Sequence, residues 1–248
     1  MISPVVPPSR PSHLKSPVTQ LNVAQRMVLV CEFAFFAGLP EEAREAIVAR
    51  ATTREFERDE TLFLEGHPAR HLVLLQSGSA KMTQTSASGN EVILRVAGKG
   101  DLVTMPPHTS SQCHSCSAHA IERCSALAWE FGKLAQLIAR YPQIESNISR
   151  ILTARLSELQ EQFREVATEK VAQRLAFALL RLMKQVGKPS HGGVKISLSR
   201  EDLAQMTGTT LFTISRLLSQ WGEEGFVLPL REAVVVLDAE RLGRMAKN

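Results

Sequence analysis

Residues 199–221 constrain the fold more than any other part of the sequence, because they predict two short helices that meet at a glycine. Ser199 is followed three residues later by an acid, an arrangement like the capping box that begins many helices. Gly208 predicts the end of this first helix. Thr209 or Thr210 is expected to cap the second helix, which continues to the end of the segment.

Segments on both sides of these helices complete a winged helix-turn-helix. Residues 226–228 and 233–237 predict the two strands of a hairpin, and residues 196–198 predict a short strand before the first helix. An amphipathic helix that ends near Gly187 is predicted further upstream from four apolar residues at helical spacing: Val171, Leu175, Leu179 and Leu182. The region 169–248 is therefore predicted to form a winged helix-turn-helix domain.

Short strands separated by glycines are predicted in the N-terminal half. Residues 61–64, 72–75 and 91–96 are apolar enough to form strands. Glycines mark the turns between and after them: Gly66, Gly78, Gly89, Gly98 and Gly100. This regular spacing predicts a small antiparallel barrel or roll, within a domain that covers residues 21–141.

Other elements are predicted before this roll. Residues 1–20 are rich in Pro and Ser and predict a disordered tail. A short helix is expected around residues 23–36. A second helix is expected after Pro40, because Glu41 and Glu42 place acids in its first turn.

One apolar stripe follows about six turns of a helix predicted at residues 142–168. Its members recur every three or four residues: Ile144, Ile148, Leu152, Leu156, Leu159, Phe163 and Val166. A stripe of this length must be covered, and a parallel copy of the same helix is the simplest cover. The sequence therefore predicts a homodimer through this helix. The alternative is that the stripe packs against its own roll.

Basic residues are concentrated in the last third of the chain. From Lys170 to the end there are 12 Lys and Arg against 7 Asp and Glu, whereas the rest of the chain has 17 against 18. Positive charge confined to one domain is typical of a domain that binds a polyanion, although a solvated basic face would give the same balance.

Several classes of protein are excluded by simple features. The longest apolar run, residues 175–180, is too short to cross a membrane, and prolines interrupt any signal peptide at the N-terminus. Four cysteines are too few for a disulfide scaffold. No nucleophile–base pattern or phosphate-binding loop indicates an enzyme. We expect a cytoplasmic protein with reduced cysteines and no membrane partner.

The second helix of the predicted helix-turn-helix has a polar N-terminal face that suits the major groove of double-stranded DNA. Its side chains are hydroxyls and one guanidinium: Thr209, Thr210, Thr213, Ser215 and Arg216. Backbone N–H groups and threonine hydroxyls can bind phosphates, and Arg216 can donate two hydrogen bonds to guanine O6 and N7. Leu217, Leu218 and Trp221 are expected to form the buried face. The alternative is that Arg216 is merely exposed to solvent.

From about Phe33 to the C-terminus, the sequence resembles the cyclic-AMP receptor/fumarate-nitrate regulator (Crp/Fnr) family of bacterial transcription factors. The most specific match is SLSREDLAQMTGTTLFTISRLL, residues 197–218. Matches in the roll are Gly66, Gly78 and the segment Gly100-Asp101-Leu102. The resemblance implies an α+β fold with an N-terminal antiparallel β-roll of the cyclic-nucleotide-binding type, a long dimerisation helix and a C-terminal winged helix-turn-helix. It also implies a regulator that couples an effector or redox signal in the roll to promoter binding, with RNA polymerase as a further partner.

The family commonly contacts DNA through a Glu-x-x-Ser-Arg pattern. In this sequence Ser215 and Arg216 are present, but Phe212 occupies the position of the glutamate. Phenylalanine cannot accept a hydrogen bond from cytosine N4, although it can contact a thymine methyl group. We therefore expect DNA binding with a half-site that differs from the usual one of the family.

The resemblance also implies which residues would be needed to bind a cyclic nucleotide. Family members that bind one use a Gly-Glu-Leu segment for the ribose and an Arg-Ser pair for the phosphate. After Gly100-Asp101-Leu102 this sequence continues VTMPPH without an acid, and His114-Ser115 stands near the expected Arg-Ser pair. These differences argue against cyclic AMP as the effector.

Cysteines and histidines of the roll are the alternative sensor residues. Cys113 and Cys116 form a C-x2-C pair in a polar segment, a spacing that suits an iron–sulfur cluster, zinc or a dithiol switch. The family's oxygen sensors hold a cluster through several N-terminal cysteines, whereas only Cys31 lies near this N-terminus. The family's haem-containing members imply a second set of candidate ligands: His108, His114 and His119, together with Cys113.

The four cysteines differ in their alternative, structural roles. Cys124 and Cys31 lie among apolar residues and are expected to be core cysteines, whereas Cys113 and Cys116 have no evident packing role. A rival hypothesis is a metal- or redox-binding protein without specific DNA binding. The intact Ser215-Arg216 pair and the basic C-terminal domain argue against it.

Overall fold

In the computed structural model of the chain, residues 31–104, 113–190 and 192–247 are described. The predicted tail, most of the predicted helix at residues 23–36, and His108 lie outside these ranges. The described end of that helix is a single 3-10 turn at Ala34–Phe36. The predicted helical stretch is a 3-10 turn at this end, where Phe35 and Phe36 are buried beside Trp129.

Within the described residues, the roll has seven strands in two antiparallel sheets. Their bounds are β1 Thr52–Phe56, β2 Thr61–Phe63, β3 His71–Ser77, β4 Ala80–Thr85, β5 Glu91–Ala97, β6 Ser117–Ala120 and β7 Cys124–Glu130. One sheet has the order β1-β7-β3 and the other β2-β6-β4-β5. Buried side chains of both sheets meet in one apolar cluster, which includes Val73, Met82 and Ala126. The predicted antiparallel roll is confirmed.

Three α-helices of the described ranges accompany the roll: α1 Glu41–Ala49, α2 Phe131–Arg140 and α3 Gln143–Thr168. Acids in the first turn of α1 complement the helix dipole, as the sequence predicts. Trp129 on β7 is fully buried and donates a hydrogen bond of 2.7 Å from Nε1 to the carbonyl oxygen of Ile47. This contact fixes α1 against the sheet.

The apolar stripe of α3 is divided between two environments. Ile144 and Ile148 are buried in the cluster that contains Trp129, so this end packs against its own roll. Further along, the apolar side chains are exposed: Leu152 36%, Leu156 57%, Leu159 55%, Phe163 75% and Val166 52%. The first part of the stripe therefore packs against the roll of its own chain. The exposed second part is the part that a parallel copy of the helix could cover.

The C-terminal part has the elements of a winged helix-turn-helix. They are α4 Val171–Gln185, β8 Lys188–Ser190, β9 Gly193–Ile196, α5 Arg200–Thr207, α6 Leu211–Glu223, β10 Val227–Pro229, β11 Val234–Val236 and α7 Ala239–Lys247. The four strands form one sheet of order β10-β11-β9-β8. The predicted strand at residues 196–198 is misplaced. Pairing with β11 ends at Ile196, after which the chain turns to begin α5.

The roll and the C-terminal part share a core. Ile93, Val96 and Ile121 of the roll belong to the same buried cluster as Trp221 and Phe226. Among the described residues, no helix combines the length and the hydrophobicity that a membrane span requires.

Candidate nucleic-acid interface and sensor residues

A capping box at the start of α5 and a left-handed glycine at its end fix the helix and the turn that follows it. Ser199 Oγ accepts a hydrogen bond of 3.0 Å from the backbone N–H of Asp202, whose carboxylate accepts one of 2.9 Å from the N–H of Ser199. This reciprocal pair is the predicted capping box. Gly208 ends α5 in the left-handed conformation, with φ of +61°, which glycine adopts without strain.

Thr210 caps α6, which settles the choice between the two threonines proposed from the sequence. Its Oγ1 accepts a hydrogen bond of 3.2 Å from the backbone N–H of Thr213. Helix α6 then buries one face completely, through Ile214, Leu218 and Trp221. Leu217, expected with these residues, is only partly buried at the edge of the same cluster. The packing fixes the orientation of α6 about its own axis.

The N-terminal part of α6 faces away from the core. Phe212 is 78% exposed, and Arg216, one turn further along, is also exposed. Thr209, Thr213 and Ser215 are partly buried beside them. An exposed guanidinium, hydroxyl groups and an apolar ring thus lie at one end of a rigid helix, which is the arrangement that base contacts in a major groove require.

Two exposed residues of the C-terminal part were not among the candidates from the sequence. Leu211, the first residue of α6, is 50% exposed, although its spacing from Ile214 favours the buried face. Arg231 lies at the tip of the hairpin between β10 and β11 and is exposed. Its position in a predicted hairpin turn was the signal that could have identified it as exposed, and the neighbouring Glu232 pairs with Arg58 of the roll at 3.1 Å.

The candidate sensor cysteines lie in different environments. Cys124 is buried, as expected, and Cys113 is exposed beside Pro68. Cys31 is exposed, so the expectation of a core cysteine is wrong for this residue. Cys116 packs partly against the core of the roll, which corrects the expectation that it has no packing role.

Burial makes two of these thiols harder to ionise. It raises the pKa of the Cys124 thiol to about 11, and it raises the pKa of the Cys116 thiol above its usual value. The Cys124 Sγ also lies 3.1 Å from the carbonyl oxygen of Ser79, to which it can donate. A thiolate is the form that binds metals and reacts with oxidants, so both sites favour the neutral, less reactive form.

The two described candidate histidines, His114 and His119, contact neighbouring side chains. His114 stacks on Phe63 with ring centroids 4.0 Å apart, and His119 Nδ1 lies 3.1 Å from Thr61 Oγ1. Burial lowers the pKa of both imidazoles, and His67 lowers that of His114 further. Within the described ranges, no group of three or more His, Cys, Asp or Glu side chains is placed to hold a metal ion.

Comparison with known proteins agrees with both parts of this architecture. A family model described as a cyclic nucleotide-binding domain matches residues 53–141, and one described as a Crp-like helix-turn-helix domain matches residues 173–245. The chain is 25% identical over 221 residues to the CRP-like cAMP-activated global transcriptional regulator of Mycobacterium tuberculosis, covering 88% of this chain and 99% of that protein. It is 28% identical over 211 residues to the cyclic AMP receptor protein of Thermus thermophilus, covering 85% and 95%.

Solved structures share the fold. The c-di-GMP responsive global regulator CLP of Xanthomonas campestris has a TM-score of 0.70 at 23% identity, covering 80% of this chain and all of that one. FixK2 of Bradyrhizobium japonicum has a TM-score of 0.69 at 22% identity, covering 79% and 96%. A roll joined through a long helix to a winged helix-turn-helix defines a class of DNA-binding transcriptional regulators, and the relative from Mycobacterium tuberculosis and CLP are both named as global regulators.

The chain belongs to the Crp/Fnr family. It is a sequence-specific DNA-binding transcriptional regulator, and the predicted family, α+β fold and regulatory function are confirmed.

Proposed function

We propose that this regulator acts as a homodimer whose two α6 helices contact successive half-sites in the major groove of promoter DNA. The observation that carries the proposal is the division of α6 into two faces. Ile214, Leu218 and Trp221 are fully buried, so the surface that bears Phe212 and Arg216 is held outward in one orientation. A rigid helix with an exposed guanidinium can place that group within hydrogen-bond distance of a base edge.

The residues at the N-terminal end of α6 are assigned either to base edges or to phosphates of the DNA. Arg216 is assigned to a guanine, through two parallel hydrogen bonds to O6 and N7, and Ser215 and Thr213 to adjacent base edges or phosphates. Thr209 and Thr210 lie at the helix N-terminus, where backbone N–H groups favour a phosphate. Arg231, which is exposed in the hairpin between β10 and β11, is assigned to a further phosphate.

The exposed half of the α3 stripe is assigned to a second copy of the chain. Leu156, Leu159 and Phe163 are each more than half exposed in a single chain, and they follow one face of a helix. A parallel copy of α3 would cover them, and it would place two DNA-binding domains side by side. The relatives described as activated global regulators support RNA polymerase as the partner of the DNA-bound dimer.

The test separates base recognition from general attraction to DNA. Binding-site selection with the purified full chain should return a palindromic site, and shift assays over a range of salt should then compare the wild type with Arg216→Lys and Arg216→Ala. Arg216→Lys keeps the charge but loses the fork that pairs with guanine. It should lose about 1–3 kcal/mol of discrimination at one base pair while the salt dependence stays close to that of the wild type.

Two controls make the test decisive. Arg244→Ala removes a guanidinium that pairs with Glu240 on α7, and it should leave base discrimination unchanged. Size-exclusion chromatography should show that each variant is still dimeric. Equal discrimination by the wild type and by both Arg216 variants would show that Arg216 is not the base-contacting residue. A wild type without any sequence preference would favour the rival metal- or redox-binding hypothesis.

A further inference from the structure

Leu211 and Phe212 form an exposed apolar pair in the first turn of α6. Leu211 is the first residue of the helix and is 50% exposed, and Phe212, which follows it, is 78% exposed. Thr210 caps the helix directly before them, so the backbone that carries both side chains is held in place. A single exposed leucine needs no explanation, but a leucine and a phenylalanine side by side form a surface patch.

The exposure of Leu211 is unexpected from its position in the helix. Leu211 precedes Ile214 by three residues and Leu218 by seven, a spacing that places all three on one side of α6. Ile214 and Leu218 are fully buried, whereas half of Leu211 remains in contact with water. The first turn of α6 therefore presents an apolar side chain that the fold leaves uncovered.

The major-groove edge of DNA offers one group that suits such a side chain, the 5-methyl group of thymine. The other groups that distinguish the bases there are hydrogen-bond donors and acceptors. A leucine that covered one of them would remove its water without replacing the hydrogen bond. A thymine methyl group loses no hydrogen bond when a leucine covers it, and apolar surface on both sides leaves water.

The pair is continuous with the surface of α6 that carries the proposed DNA contacts. Arg216 lies one turn after Phe212 and is also exposed. One turn is about 5.4 Å long and neighbouring base pairs are about 3.4 Å apart, so these side chains reach different base pairs of one half-site. Leu211 and Phe212 point about 100° apart around the helix axis, so they cannot both cover the same methyl group.

We propose that Leu211 is a specificity-determining residue that contacts a thymine methyl group. Together with Phe212 it would select two neighbouring A·T base pairs beside the guanine assigned to Arg216. The inference rests on the proposed function, because it requires α6 to lie in the major groove. It deepens that function by assigning part of the half-site to apolar contacts instead of hydrogen bonds.

Deoxyuridine scanning of the DNA tests these contacts, because uracil differs from thymine only by lacking the 5-methyl group. The site returned by binding-site selection would be synthesised with each thymine replaced in turn, at matching positions of both half-sites. Shift assays would then measure its affinity for the full-length wild type. Two replacements in each half-site should weaken binding by about fourfold per methyl group, the value for one methyl-sized apolar group removed from a contact.

Alanine variants assign each methyl group to a side chain. Leu211→Ala should lose its sensitivity to one of the two replacements and keep its sensitivity to the other, and Phe212→Ala should show the reverse. Leu64→Ala is the matched control, because this leucine lies just after β2 of the roll and is exposed to a similar extent, 42%. Its removal should leave both methyl effects as they are in the wild type.

Three results would overturn the proposal. The first is a wild type that selects a site but binds every deoxyuridine-containing version of it equally well. The second is a Leu211→Ala protein that responds to each replacement as the wild type does. The third is a change of oligomeric state in Leu211→Ala, measured by size-exclusion chromatography, which would assign Leu211 to a contact between copies of the chain.

The scan of the wild type does not depend on the folding of any variant. Thermal unfolding shows whether Leu211→Ala is folded, and Leu211→Gln, another residue that favours helices, replaces it if it is not and should lose the same methyl effect. Failure of the proposed function has a different signature. The absence of any selected site would contradict DNA recognition by α6, whereas a selected site with a guanine that depends on Arg216 but without methyl effects would contradict only the role of Leu211.

Discussion

Phe212 occupies the position at which the family commonly has the glutamate of its Glu-x-x-Ser-Arg pattern. The ring is 78% exposed at the N-terminal end of α6, where an apolar side chain gains nothing from packing in the free protein. Within the proposed complex, the ring can contact a thymine methyl group but cannot accept a hydrogen bond from cytosine. A contact with DNA would therefore give the exposed ring a role that packing in the free protein does not give it.

Phe212→Glu should shift the preferred half-site toward the one that the family commonly binds. A carboxylate at this position can accept a hydrogen bond from cytosine N4, and one good contact of this kind is worth about 1–3 kcal/mol of discrimination. Stability should change little because the side chain is exposed. Binding-site selection on the wild type and the variant would measure the shift. An unchanged selected sequence, or a wild type that already selects the ordinary family half-site at full strength, would contradict the prediction.

Single residues of the sensor region show where sequence reasoning reached its limit. Cys124 was correctly expected to be buried, because the alternation of apolar and small residues along its strand is a local pattern. Cys31 also has apolar neighbours in the sequence, yet it is exposed. Its segment is not a regular strand or helix, so neighbours in sequence say little about which side chains face the core.

At the scale of whole elements, local signals were sufficient for the helix-turn-helix. Ser199, its acid partner and Gly208 fix both ends of α5 through contacts within a few residues, so the sequence positions of these residues predict where the helix begins and ends.

Helix α7 was not predicted from the sequence. It follows the predicted hairpin, and its beginning depends on Asp238, whose carboxylate accepts a hydrogen bond of 2.8 Å from the N–H of Arg241. Strands β4 and β6 were missed because mixed polar strands such as AKMTQT and SAHA are specified by their pairing partners.

Phe163→Glu on α3 should break the dimer. The side chain is 75% exposed in one chain, so the substitution costs the monomer little, but it would bury a charge against the partner helix. We expect a monomeric protein in sedimentation equilibrium and a loss of site-specific DNA affinity of about tenfold or more, because two linked half-site contacts become independent.

Ala154→Glu is the matched control for this prediction. It adds the same charge to an exposed position of α3, on the face opposite the stripe, and should leave the dimer intact. If Phe163→Glu stayed dimeric, or if Ala154→Glu dissociated equally, the exposed stripe would not be the dimer interface.

At the scale of the whole molecule, the important contacts join residues that are far apart in the sequence. The shared core of Ile93 and Trp221 connects the roll with α6, and Arg155 of α3 donates a hydrogen bond to the carbonyl oxygen of Leu102 in the roll. Periodicity and capping signals describe one element at a time, so the sequence predicted which elements exist but not how the roll meets α5.

The ion pair between Lys81 and Asp202 is one of the polar contacts between the roll and the C-terminal part, together with Arg58–Glu232 and Lys188–Glu122. Lys81 Nζ on β4 lies 2.6 Å from Asp202 Oδ1 on α5, and both side chains are mostly buried, with 24% and 14% exposed. Burial alone would raise the pKa of Asp202, but hydrogen bonds from Lys81 and Ser199 more than offset this effect and hold the pKa below its usual value. The same carboxylate therefore caps the first helix of the helix-turn-helix and holds it against the roll.

Lys81→Gln should release the helix-turn-helix from the roll without unfolding either part. Removing one partner of a partly buried, charge-assisted hydrogen bond costs about 1–3 kcal/mol, while the capping box that shapes α5 remains. Hydrogen exchange followed by mass spectrometry should show faster exchange in α5 and in the facing strand β5, and little change in α1.

Arg123→Gln is the control for this prediction. It removes an exposed ion pair with Glu55 on the same roll and should leave hydrogen exchange in α5 unchanged. Equal exchange of α5 in the wild type and Lys81→Gln would mean that the apolar contacts of Ile93 and Val96 hold the junction by themselves.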